Sequence, residues 1–465
     1  MKRSCVILAA GLGKRMRSSL AKVLHPVLDR PMLLYPVALA LDLGCRPVVV
    51  VAGHQEPAVR ALLQSRFGAR VRVARQWPPR GTGHALLSAL GSLPRRGSLL
   101  VLCGDVPLLT ADEVRRLRRG ARGAAVAFLS ARVSDPSGYG RVVRDDRGEV
   151  LRIVEHADAD EHERRIDEIN TGVYLLDLAF ARRAVAGLTT RNAQREFYLT
   201  DLVVEAREQG RGVRAIAAAD PGAVLGINHR AELAQAEERL SARLALSLSR
   251  RGVTIHQSHT TRLCAGLRAG RDSEILPGCQ FYGTVRLGRG CRIGPYAVLR
   301  DCAVGDGATV GPFCVLEECA VGKDARVGPF SRLRPGAVLG PEAHVGNFVE
   351  IKKSRLGRGT KANHLAYLGD ATIGRGVNVG AGTITCNYDG QNKHPTFIGD
   401  GAFIGSDTQL VAPVRIGKNA VVGAGTTVTR DVPPEALAVS RTPQTHVPGY
   451  ARRRRRRAEA QKGRS

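Results

Sequence analysis

A six-residue period in the second half of the chain restricts its fold more than any other feature. Apolar residues recur every six positions, with an occasional five-residue step, and glycine often follows them. They are Ile275, Phe281, Leu287, Ile293, Leu299, Val304, Val310, Leu316, Val321, Val327, Leu333, Leu339, Val345 and Ile351, and then Ile398, Ile404, Leu410, Ile416, Val422 and Val428. A hexapeptide period is typical of a parallel β-helix of triangular section, with one short strand per hexad and the apolar residue pointing inward. We therefore expect a left-handed β-helix of about eight coils.

The period breaks at residues 380–397, whose centre, residues 385–393, is polar and rich in turn-forming residues. Such a stretch predicts a loop that leaves the wall of the β-helix, and loops of this kind often carry function. The flat faces of one β-helix would expose long rows of side chains. Because side-by-side packing of three copies would bury those rows, a homotrimer is expected on symmetry grounds.

The first half, residues 1–228, alternates strand-like apolar runs with helix-like runs. Strands are predicted at 5–10, 47–51, 99–103 and 124–129, and helices at 31–43 and 84–93. The alternation indicates a Rossmann-like, doubly wound and mostly parallel α/β sheet. Ligands of such sheets bind beyond the carboxyl ends of the strands, where Gly11, Gly13 and Asp105 fall.

Two further segments complete the predicted organisation. Residues 229–251 carry apolar residues at helical spacing and predict one long linker helix; these are Leu233, Ala236, Leu240, Leu244 and Leu248. The β-helix domain then occupies residues 252–446. Residues 447–465 are predicted to be a basic, disordered tail, because the six consecutive arginines at 452–457 repel one another.

Charge and composition narrow the class of protein. A formal charge of +28 is compatible with nucleic-acid binding, but only 10 of the 70 basic residues are lysines, and a solvated tail accounts for the arginine run. We therefore expect anionic small-molecule substrates and no specific nucleic-acid partner. The sequence contains no run of 18 or more apolar residues, so a membrane span is not expected. The ten cysteines form no C-x-x-C pair, which indicates a reducing, cytoplasmic location without disulfides or a zinc site.

A glycine loop after the first predicted strand is the first candidate site. The segment from Leu8 to Arg15 would bring backbone N–H groups to a phosphate, and Lys22 follows it. A plain tight turn has the same pattern. Gln76 precedes Gly81 and Thr82 at a predicted helix start, where its side-chain amide could read a base edge.

Asp105 directly follows an apolar strand, where its carboxylate suits Mg²⁺; a turn or helix-capping aspartate is the alternative. Glu155, Asn170 and Asn228 are further polar residues at predicted strand or loop ends.

His364 is the candidate general base of the second half, although a lone histidine can also be structural. Four polar residues recur at about one coil, or ~18 residues, from one another and should form a vertical cluster near it; they are Arg334, Lys352, Tyr367 and Asn378. Asn363 or a backbone carbonyl is the expected partner of the histidine ring. The lysines of this region, including Lys393, suggest phosphate contacts, with solvated surface as the alternative.

From about Val6 to Gln444 these motifs resemble the bifunctional N-acetylglucosamine-1-phosphate uridyltransferase / glucosamine-1-phosphate acetyltransferases. The resemblance implies that UTP and the sugar are bound by Leu8, Ala9, Ala10, Gly11, Gly13, Arg15, Lys22, Gln76, Gly81, Thr82, Gly140, Glu155, Asn170 and Asn228. It implies that Asp105 and Asn228 hold Mg²⁺ and that His364 is the acetyl-transfer base. It implies that Arg334, Lys352, Tyr367 and Asn378 bind glucosamine-1-phosphate, and that Ala381, Asn387, Tyr388, Ser406, Ala424 and Arg441 line the acetyl-CoA site, partly across a trimer interface.

Two other functions fit the same architecture. One is a different sugar-nucleotide pyrophosphorylase with a non-catalytic β-helix, against which His364 and the Asn387–Tyr388 loop argue. The other is a non-enzymatic regulatory subunit, against which Lys22, Asp105 and Asn228 argue. Release of pyrophosphate and of free coenzyme A in one assay distinguishes all three.

Overall fold

The computed structural model describes residues 3–462, so the outermost parts of the predicted first domain and tail, residues 1–2 and 463–465, lie outside the described residues. The chain divides into two compact units, Met1–Leu244 and Ala245–Ser465. The division falls inside the helix Arg230–Ser249, which lies within the predicted linker helix of 229–251.

The first unit is built on a nine-stranded sheet. Its strands are β1 (Arg3–Ala9), β4 (Val48–Ala52), β5 (Val71–Arg75), β6 (Ser98–Cys103), β7 (Ala124–Arg132), β8 (Arg141–Arg144), β9 (Val150–Val154), β10 (Glu168–Asp177) and β11 (Gly212–Ala217), while β2 (Pro26–Val27) and β3 (Arg30–Pro31) form a separate ribbon. The main path runs β11–β7–β10–β6–β1–β4–β5, and only β10 on that path is antiparallel to its neighbours. The prediction of a mostly parallel sheet is confirmed, and all four predicted strands overlap observed ones.

Helices lie between the strands of this unit. They are α1 (Leu34–Asp42), α2 (Glu56–Phe67), α3 (Thr82–Ala89), α4 (Ala111–Gly120), α5 (Glu161–Arg164), α6 (Leu178–Gly187) and α7 (Leu202–Glu208), while α8 (Arg230–Ser249) follows β11 and contains the division between the units. Short 3-10 turns occupy Lys14–Met16, Lys22–Leu24, Gly68–Arg70, Leu90–Ser92, Leu199–Asp201 and Pro221–Ala223, with a further one, Ser258–Thr260, in the second unit. Two apolar clusters contain alternate residues of the central strand β1, with Val6 in one and Cys5 and Ile7 in the other. Alternation of this kind places successive side chains on opposite faces of the sheet, as in a doubly wound fold.

The second unit is a left-handed parallel β-helix with three walls. The first wall contains Thr254–Ile255, Glu274–Ile275, Arg292–Ile293, Thr309–Val310, Arg326–Val327, His344–Asn347, Lys361–His364, Asn378–Val379, Phe403–Ile404, Val421–Val422 and Leu437–Ala438. The second contains Arg268–Ala269, Arg286–Leu287, Ala303–Val304, Ala320–Val321, Val338–Leu339, Arg355–Leu356, Ala371–Ile373, Thr396–Ile398 and Val414–Ile416. The third contains Gln280–Tyr282, Val298–Arg300, Val315–Glu317, Arg332–Leu333, Glu350–Lys352, Tyr367–Gly369, Ile384–Cys386, Gln409–Val411 and Thr427–Val428. Nine to eleven strands per wall exceed the predicted eight coils.

The interior of the β-helix is built from the apolar residues of the hexads, all of which are buried. The predicted break at 380–397 is too wide, because strands occupy Ile384–Cys386 and Thr396–Ile398 on either side of a shorter loop. Thr385 takes the inward position of its hexad and is buried. Its hydroxyl accepts from the Gly369 N–H at 2.7 Å and lies 3.0 Å from the Gly369 carbonyl oxygen, which satisfies a polar group inside the wall.

The structure differs from the sequence prediction at the tail. Tyr450–Lys462 forms a helix, α9, although disorder was predicted for residues 447–465. No residue of α9 is buried, so local propensity rather than packing accounts for it, and arginine and alanine are both good helix formers.

All ten cysteines are free. No helix among residues 3–462 has the length and apolar character needed to cross a membrane.

Candidate active sites

A cleft of about 550 Å³ opens beyond the carboxyl ends of β1 and β6. Many of the predicted nucleotide-site residues line it, namely Leu8, Ala9, Ala10, Gly11, Gly13, Arg15, Lys22, Gln76, Gly81, Thr82, Asp105 and Asn228. This is the edge at which parallel α/β sheets bind their ligands. Glu196 also lines the cleft, and sequence reasoning missed it because no motif surrounds it.

The glycine loop requires a glycine at residue 13. Gly13 has a φ of +61°, and a Cβ atom there would lie 2.6 Å from Cβ of Lys22. Both the backbone conformation and the close approach therefore exclude larger residues. The packing of Gly13 against Lys22 places the lysine beside the loop, which two separate segments of the sequence could only suggest.

Four polar side chains meet at the floor of the cleft. Lys22 Nζ donates to a carboxylate oxygen of Asp105 and, at 3.0 Å, to Oδ1 of Asn228. Arg15 donates to the same Asn228 oxygen at 2.8 Å. The Asp105 and Asn228 oxygens thus converge on one cationic atom. Oxygen donors of these two types are the ligands that hard divalent cations prefer, so the predicted pair fits a metal that keeps waters and substrate phosphates as its other ligands.

Gln76 and the start of α3 form another side of the cleft. Gln76 is buried, and its Nε2 donates to the Gly81 carbonyl oxygen at 2.9 Å. Thr82 Oγ1 accepts from the Leu199 N–H at 3.0 Å. Gly81 has a φ of +94°, and a Cβ there would lie 2.6 Å from the Phe197 carbonyl oxygen. These contacts fix the N-terminus of α3, and the positive end of the helix dipole there favours an anion.

The three remaining predicted residues of this unit, Gly140, Glu155 and Asn170, do not line the cleft but lie together. The Asn170 N–H donates to the Gly140 carbonyl oxygen at 2.8 Å, and a Cβ on Gly140 would lie 3.4 Å from Oε2 of Glu155. Burial raises the pKa of Glu155, and the Thr200 hydroxyl, which donates to Oε1 at 3.1 Å, lowers it by less. The side-chain oxygen of Asn170 accepts from the Gly172 N–H, and a Cβ on Gly172 would lie 2.7 Å from the sulfur of the cleft residue Cys103. The three residues therefore border the cleft.

In the β-helix, the predicted base His364 ends a strand of the first wall and is exposed. Its Nδ1 lies 2.9 Å from Oδ1 of Asn347, its register partner one coil earlier. The expectation that Asn363 or a backbone carbonyl orients the ring is therefore wrong: the partner is a side chain from the preceding coil. The signal was present in the sequence, since 17 residues separate the two and one coil takes 17 or 18.

Three predicted acetyl-CoA residues lie on the same row of the β-helix as His364. Each stands two places after an inward residue of the first wall, and these inward residues, Ala362, Val379, Ile404 and Val422, pair in register. The row is His364, Ala381, Ser406 and Ala424. Strands about 4.8 Å apart make it about 14 Å long. Arg441 lies at its far end, where a Cβ on Gly423 would lie 3.4 Å from the guanidinium.

The predicted sugar-phosphate residues lie on two walls. Lys352 and Tyr367 belong to the third wall, and Arg334 follows a strand of that wall and donates to Glu350 at 2.8 Å. Asn378 instead lies in the first wall, in register with Lys361. Arg334, Lys352 and Tyr367 therefore lie along one wall, with Glu350, the register partner of Tyr367, beside Arg334, whereas Asn378 lies on a different wall.

The loop after the strand Ile384–Cys386 brings one more cation to this cluster. The Lys352 ammonium lowers the pKa of Lys393. Asp389 holds the loop: its carboxylate accepts from the Gln391 and Asn392 N–H groups at 2.8 and 2.6 Å and lies 2.7 Å from His394 Nε2. Sequence reasoning noted Lys393 but did not place it in the site, because its position depends on this turn.

The two predicted loop residues differ in burial. Asn387 is buried and donates to Asp370 at 2.5 Å, whereas Tyr388 is exposed and donates to the Gly390 carbonyl oxygen at 2.6 Å. Of the two residues, Tyr388 is therefore the one whose side chain is exposed to solvent.

Comparison with known proteins matches each unit to known protein families. Residues 5–173 match the MobA-like NTP transferase domain, residues 268–361 the GMPPB C-terminal domain, and residues 395–430 the bacterial transferase hexapeptide repeats. The bifunctional protein GlmU of Trichlorobacter lovleyi is 48% identical over 457 residues, covering 97% of this chain and 98% of the relative. Those of Sorangium cellulosum and of an Anaeromyxobacter species are 50% and 51% identical and cover 97% and 98% of this chain and 96% and 94% of the relatives.

These relatives span both units rather than one, which favours the bifunctional interpretation over a pyrophosphorylase with a non-catalytic β-helix or a regulatory subunit. The chain therefore belongs to the GlmU family of bifunctional enzymes, in which a uridyltransferase domain is joined to a hexapeptide acetyltransferase domain in the biosynthesis of UDP-N-acetylglucosamine.

Proposed function

We propose that the β-helix first acetylates glucosamine-1-phosphate with acetyl-CoA, and that the first unit then transfers UMP from UTP to the N-acetylglucosamine-1-phosphate so formed, releasing pyrophosphate. The observation that carries this proposal is that each unit has its own charged site, one around Lys22 and Asp105 and one around His364 and Lys352. The first site suits a polyphosphate, and the second suits an amine next to an anion.

In the uridylyl-transfer step, an oxygen of the sugar phosphate attacks the α-phosphorus of UTP, and the bond to pyrophosphate breaks. Arg15 and Lys22 are placed to offset negative charge on the phosphoryl oxygens, while the glycine loop allows backbone N–H groups to approach them. Gln76 is positioned for the base, and the group of Gly140, Glu155 and Asn170 for the sugar. Alignment and charge stabilisation suffice, and the step requires no protein nucleophile.

Nucleotidyltransferases of this family use a divalent metal. We assign it as Mg²⁺ and its protein ligands as Asp105 and Asn228, whose oxygens converge on the ammonium of Lys22. When bound, the ion would supply positive charge to the phosphates. Lys22 would then turn from these oxygens toward the substrate.

In the acetyl-transfer step, the sugar amine attacks the thioester carbonyl carbon to form the amide C–N bond, the C–S bond breaks so that coenzyme A leaves as its thiolate, and the amine proton passes to His364. The amide oxygen of Asn347 only accepts hydrogen bonds, so Nδ1 of His364 carries the hydrogen and Nε2 offers the lone pair. Arg334, Lys352 and Lys393 supply positive charge for the sugar phosphate, with Tyr367 and Asn378 beside them. The row from Ala381 through Ser406 and Ala424 offers a narrow edge for acetyl-CoA, with Arg441 at its end and the Asn387–Tyr388 loop alongside.

We further propose a homotrimer in the cytoplasm. Four exposed rings stack at one corner of the β-helix, Tyr296, Phe313, Phe330 and Phe348, with centroid separations of 5.2, 5.2 and 5.3 Å. About half of each side chain is exposed, between 47% and 57%. A continuous apolar row of this kind on a single chain marks an interaction surface, and in a closed threefold assembly it would be covered by the wall of another copy.

One assay tests the two activities together. With glucosamine-1-phosphate, acetyl-CoA, UTP and Mg²⁺ present, we expect free coenzyme A to appear first, followed by pyrophosphate and UDP-N-acetylglucosamine. Omitting acetyl-CoA should stop all three products, and adding N-acetylglucosamine-1-phosphate should restore pyrophosphate and UDP-N-acetylglucosamine without release of free coenzyme A. Pyrophosphate release from glucosamine-1-phosphate without acetyl-CoA would contradict the proposed order.

A further inference from the structure

The helix α9 carries the densest charge in the described chain. Six consecutive arginines, residues 452–457, lie on it, and every residue of the helix is exposed. Within residues 3–462 these arginines form no ion pair, and Arg453 makes one hydrogen bond, to the Pro448 carbonyl oxygen at 2.8 Å. Like charges three and four residues apart on a helix repel one another. The helix therefore holds an uncompensated positive charge that a polyanion would neutralise.

The spacing of this charge suits a nucleic-acid backbone. At a rise of about 1.5 Å per residue, the six arginines span about 7.5 Å along the helix axis. Duplex DNA carries one negative charge per roughly 1.7 Å of its axis. The two linear charge densities are thus nearly equal, and a helix of about 10–12 Å diameter also fits a major groove of about 12 Å.

A membrane surface fits α9 less well. Helices that lie on membranes bury an apolar face beside their basic face. The arginines of α9 are consecutive and therefore point in all directions around the axis, and besides Tyr450 the helix has only alanines as apolar residues. No face is available for insertion into lipid.

The positive charge of α9 is not required by either active site. Anionic substrates already meet Arg15 and Lys22 in the first unit and Lys352 and Lys393 in the β-helix. The charge of α9 is additional to those sites.

We propose that α9 binds the phosphate backbone of nucleic acid without reading its sequence. Arginine suits this role because its planar guanidinium donates two parallel hydrogen bonds to a phosphate. Six consecutive arginines point in all directions around the helix axis and so present no single face to the base edges, and contacts to phosphate carry no sequence information.

The test measures binding of the full-length protein to a fluorescein-labelled 24-base-pair DNA duplex by anisotropy, between 50 and 200 mM KCl. With about six phosphates neutralised, the logarithm of affinity should fall with the logarithm of salt at a slope near −5, a loss of roughly 10³-fold over this range. A variant with Arg452 to Arg457 all changed to glutamine should lose that slope while both enzymatic activities remain. The six-lysine variant should keep most of it, because lysine preserves the charge.

A matched control removes comparable charge elsewhere. Changing the exposed arginines of α4 and the adjoining turn to glutamine, namely Arg115, Arg116, Arg118, Arg119 and Arg122, should alter the slope by less than one unit. Equal losses in the α4 and α9 variants would overturn the proposal, because only net charge would then matter. Tighter binding to vesicles of 30% phosphatidylglycerol than to the duplex would also overturn it, in favour of a membrane surface.

Discussion

Nδ1 of His364 lies 2.9 Å from Oδ1 of Asn347, the residue at the equivalent position one coil earlier in the first wall of the β-helix. The contact fixes the ring plane and the tautomer, and it leaves Nε2 of this exposed side chain as the proton acceptor. The stacking of coils therefore does more than bury apolar residues: it supplies a base together with the group that orients it.

We expect His364→Ala to lower acetyl transfer by about 10²–10⁴-fold, the usual contribution of a general base. Uridylyl transfer from supplied N-acetylglucosamine-1-phosphate should be unchanged, because its site lies in the other unit. The measurement is the turnover of both reactions, with the melting temperature of the same preparation. Asn347→Leu keeps the base but removes its partner, so its loss of acetyl turnover should be smaller, with KM little changed.

The control is His256→Ala, an exposed histidine of the first coil whose Nε2 lies 2.9 Å from Glu274. It should retain acetyl turnover. If the loss in His364→Ala instead followed unfolding, the histidine would be structural.

Asp105→Ala should abolish uridylyl transfer, lowering turnover by at least about 10²-fold, and leave acetyl transfer unchanged. The variant removes one proposed metal ligand and frees Lys22 from its ion pair. Turnover of premade N-acetylglucosamine-1-phosphate with UTP, titrated with Mg²⁺, is the measurement. Asp112→Ala, an acidic residue paired only with Arg115 at the surface, is the control. Near-normal uridylyl turnover in Asp105→Ala would refute the metal role.

Glu155→Gln should make the protein more stable at neutral pH but a poorer uridyltransferase. Burial raises the pKa of Glu155 in the folded state above its ordinary value of about 4.3. The folded state then binds the proton more tightly than the unfolded state, so the free energy of unfolding falls as pH rises from that value through the raised pKa and stays lowered above it. Glutamine cannot ionise and still accepts from Thr200.

The melting temperature of Glu155→Gln should therefore exceed that of the wild type at pH 7, and the difference should vanish near pH 4. The KM for N-acetylglucosamine-1-phosphate should rise at the same time. Glu161→Gln, at an exposed position in α5, should change neither quantity. A lower melting temperature for Glu155→Gln at pH 7 would show that the carboxylate is stabilising.

Asp389→Ala should raise the KM for glucosamine-1-phosphate by about 10-fold or more, the value of a charge-assisted hydrogen bond, with a smaller effect on kcat. The carboxylate accepts two backbone hydrogen bonds and contacts His394, so it fixes the turn that carries Lys393 to Lys352. Initial rates of coenzyme A release supply both constants. Asp306→Ala removes a similar turn carboxylate, bonded to the Arg289 N–H at 2.8 Å, and should leave KM unchanged. A fall in kcat alone would argue against phosphate positioning.

Much of this molecule follows from periodicity. The hexad pattern predicted the β-helix and, through its coil length, placed Lys352 and Tyr367 on paired strands of one wall. The pattern failed at Thr385, where a hydrogen-bonded hydroxyl replaces an aliphatic group inside the wall. The apolar period therefore stops at a position where the β-helix itself continues. Asn347 was missed because the choice between 17 and 18 residues per coil decides which residue faces His364.

Other features depend on contacts between distant segments, which no local pattern reports. Lys22 meets Asp105 and Asn228 only because the sheet brings three separate segments to one edge. The position of Lys393 follows from the turn held by Asp389. Conversely, α9 forms without any packing, where charge repulsion alone predicted disorder; propensity outweighed it.

The last prediction concerns the aromatic corner of the β-helix. Phe313 and Phe330 lie in the middle of the row and have φ angles of 56° and 54°, a left-handed conformation that phenylalanine tolerates poorly and asparagine tolerates well. Phe313→Asn combined with Phe330→Asn should therefore relieve backbone strain while it removes exposed apolar surface. The row continues at Leu365, directly after His364 and 61% exposed, so a copy packed against the rings would extend to the acetyl-transfer site.

We accordingly expect light scattering at micromolar concentration to give three chains per particle for the wild type and one for the double variant. Acetyl transfer should fall with the loss of the trimer, while uridylyl transfer per chain should persist, because its cleft is complete within the first unit. Leu246→Gln, which removes a comparably exposed side chain from α8, should remain trimeric. Asparagine suits the backbone at both positions, so the variant should fold normally. A monomeric variant whose β-helix melts at the same temperature as the wild type would therefore have lost the contact between copies and not the fold. A double variant that stays trimeric would remove the aromatic row from the interface, and a wild type that scatters as a monomer would remove the trimer itself.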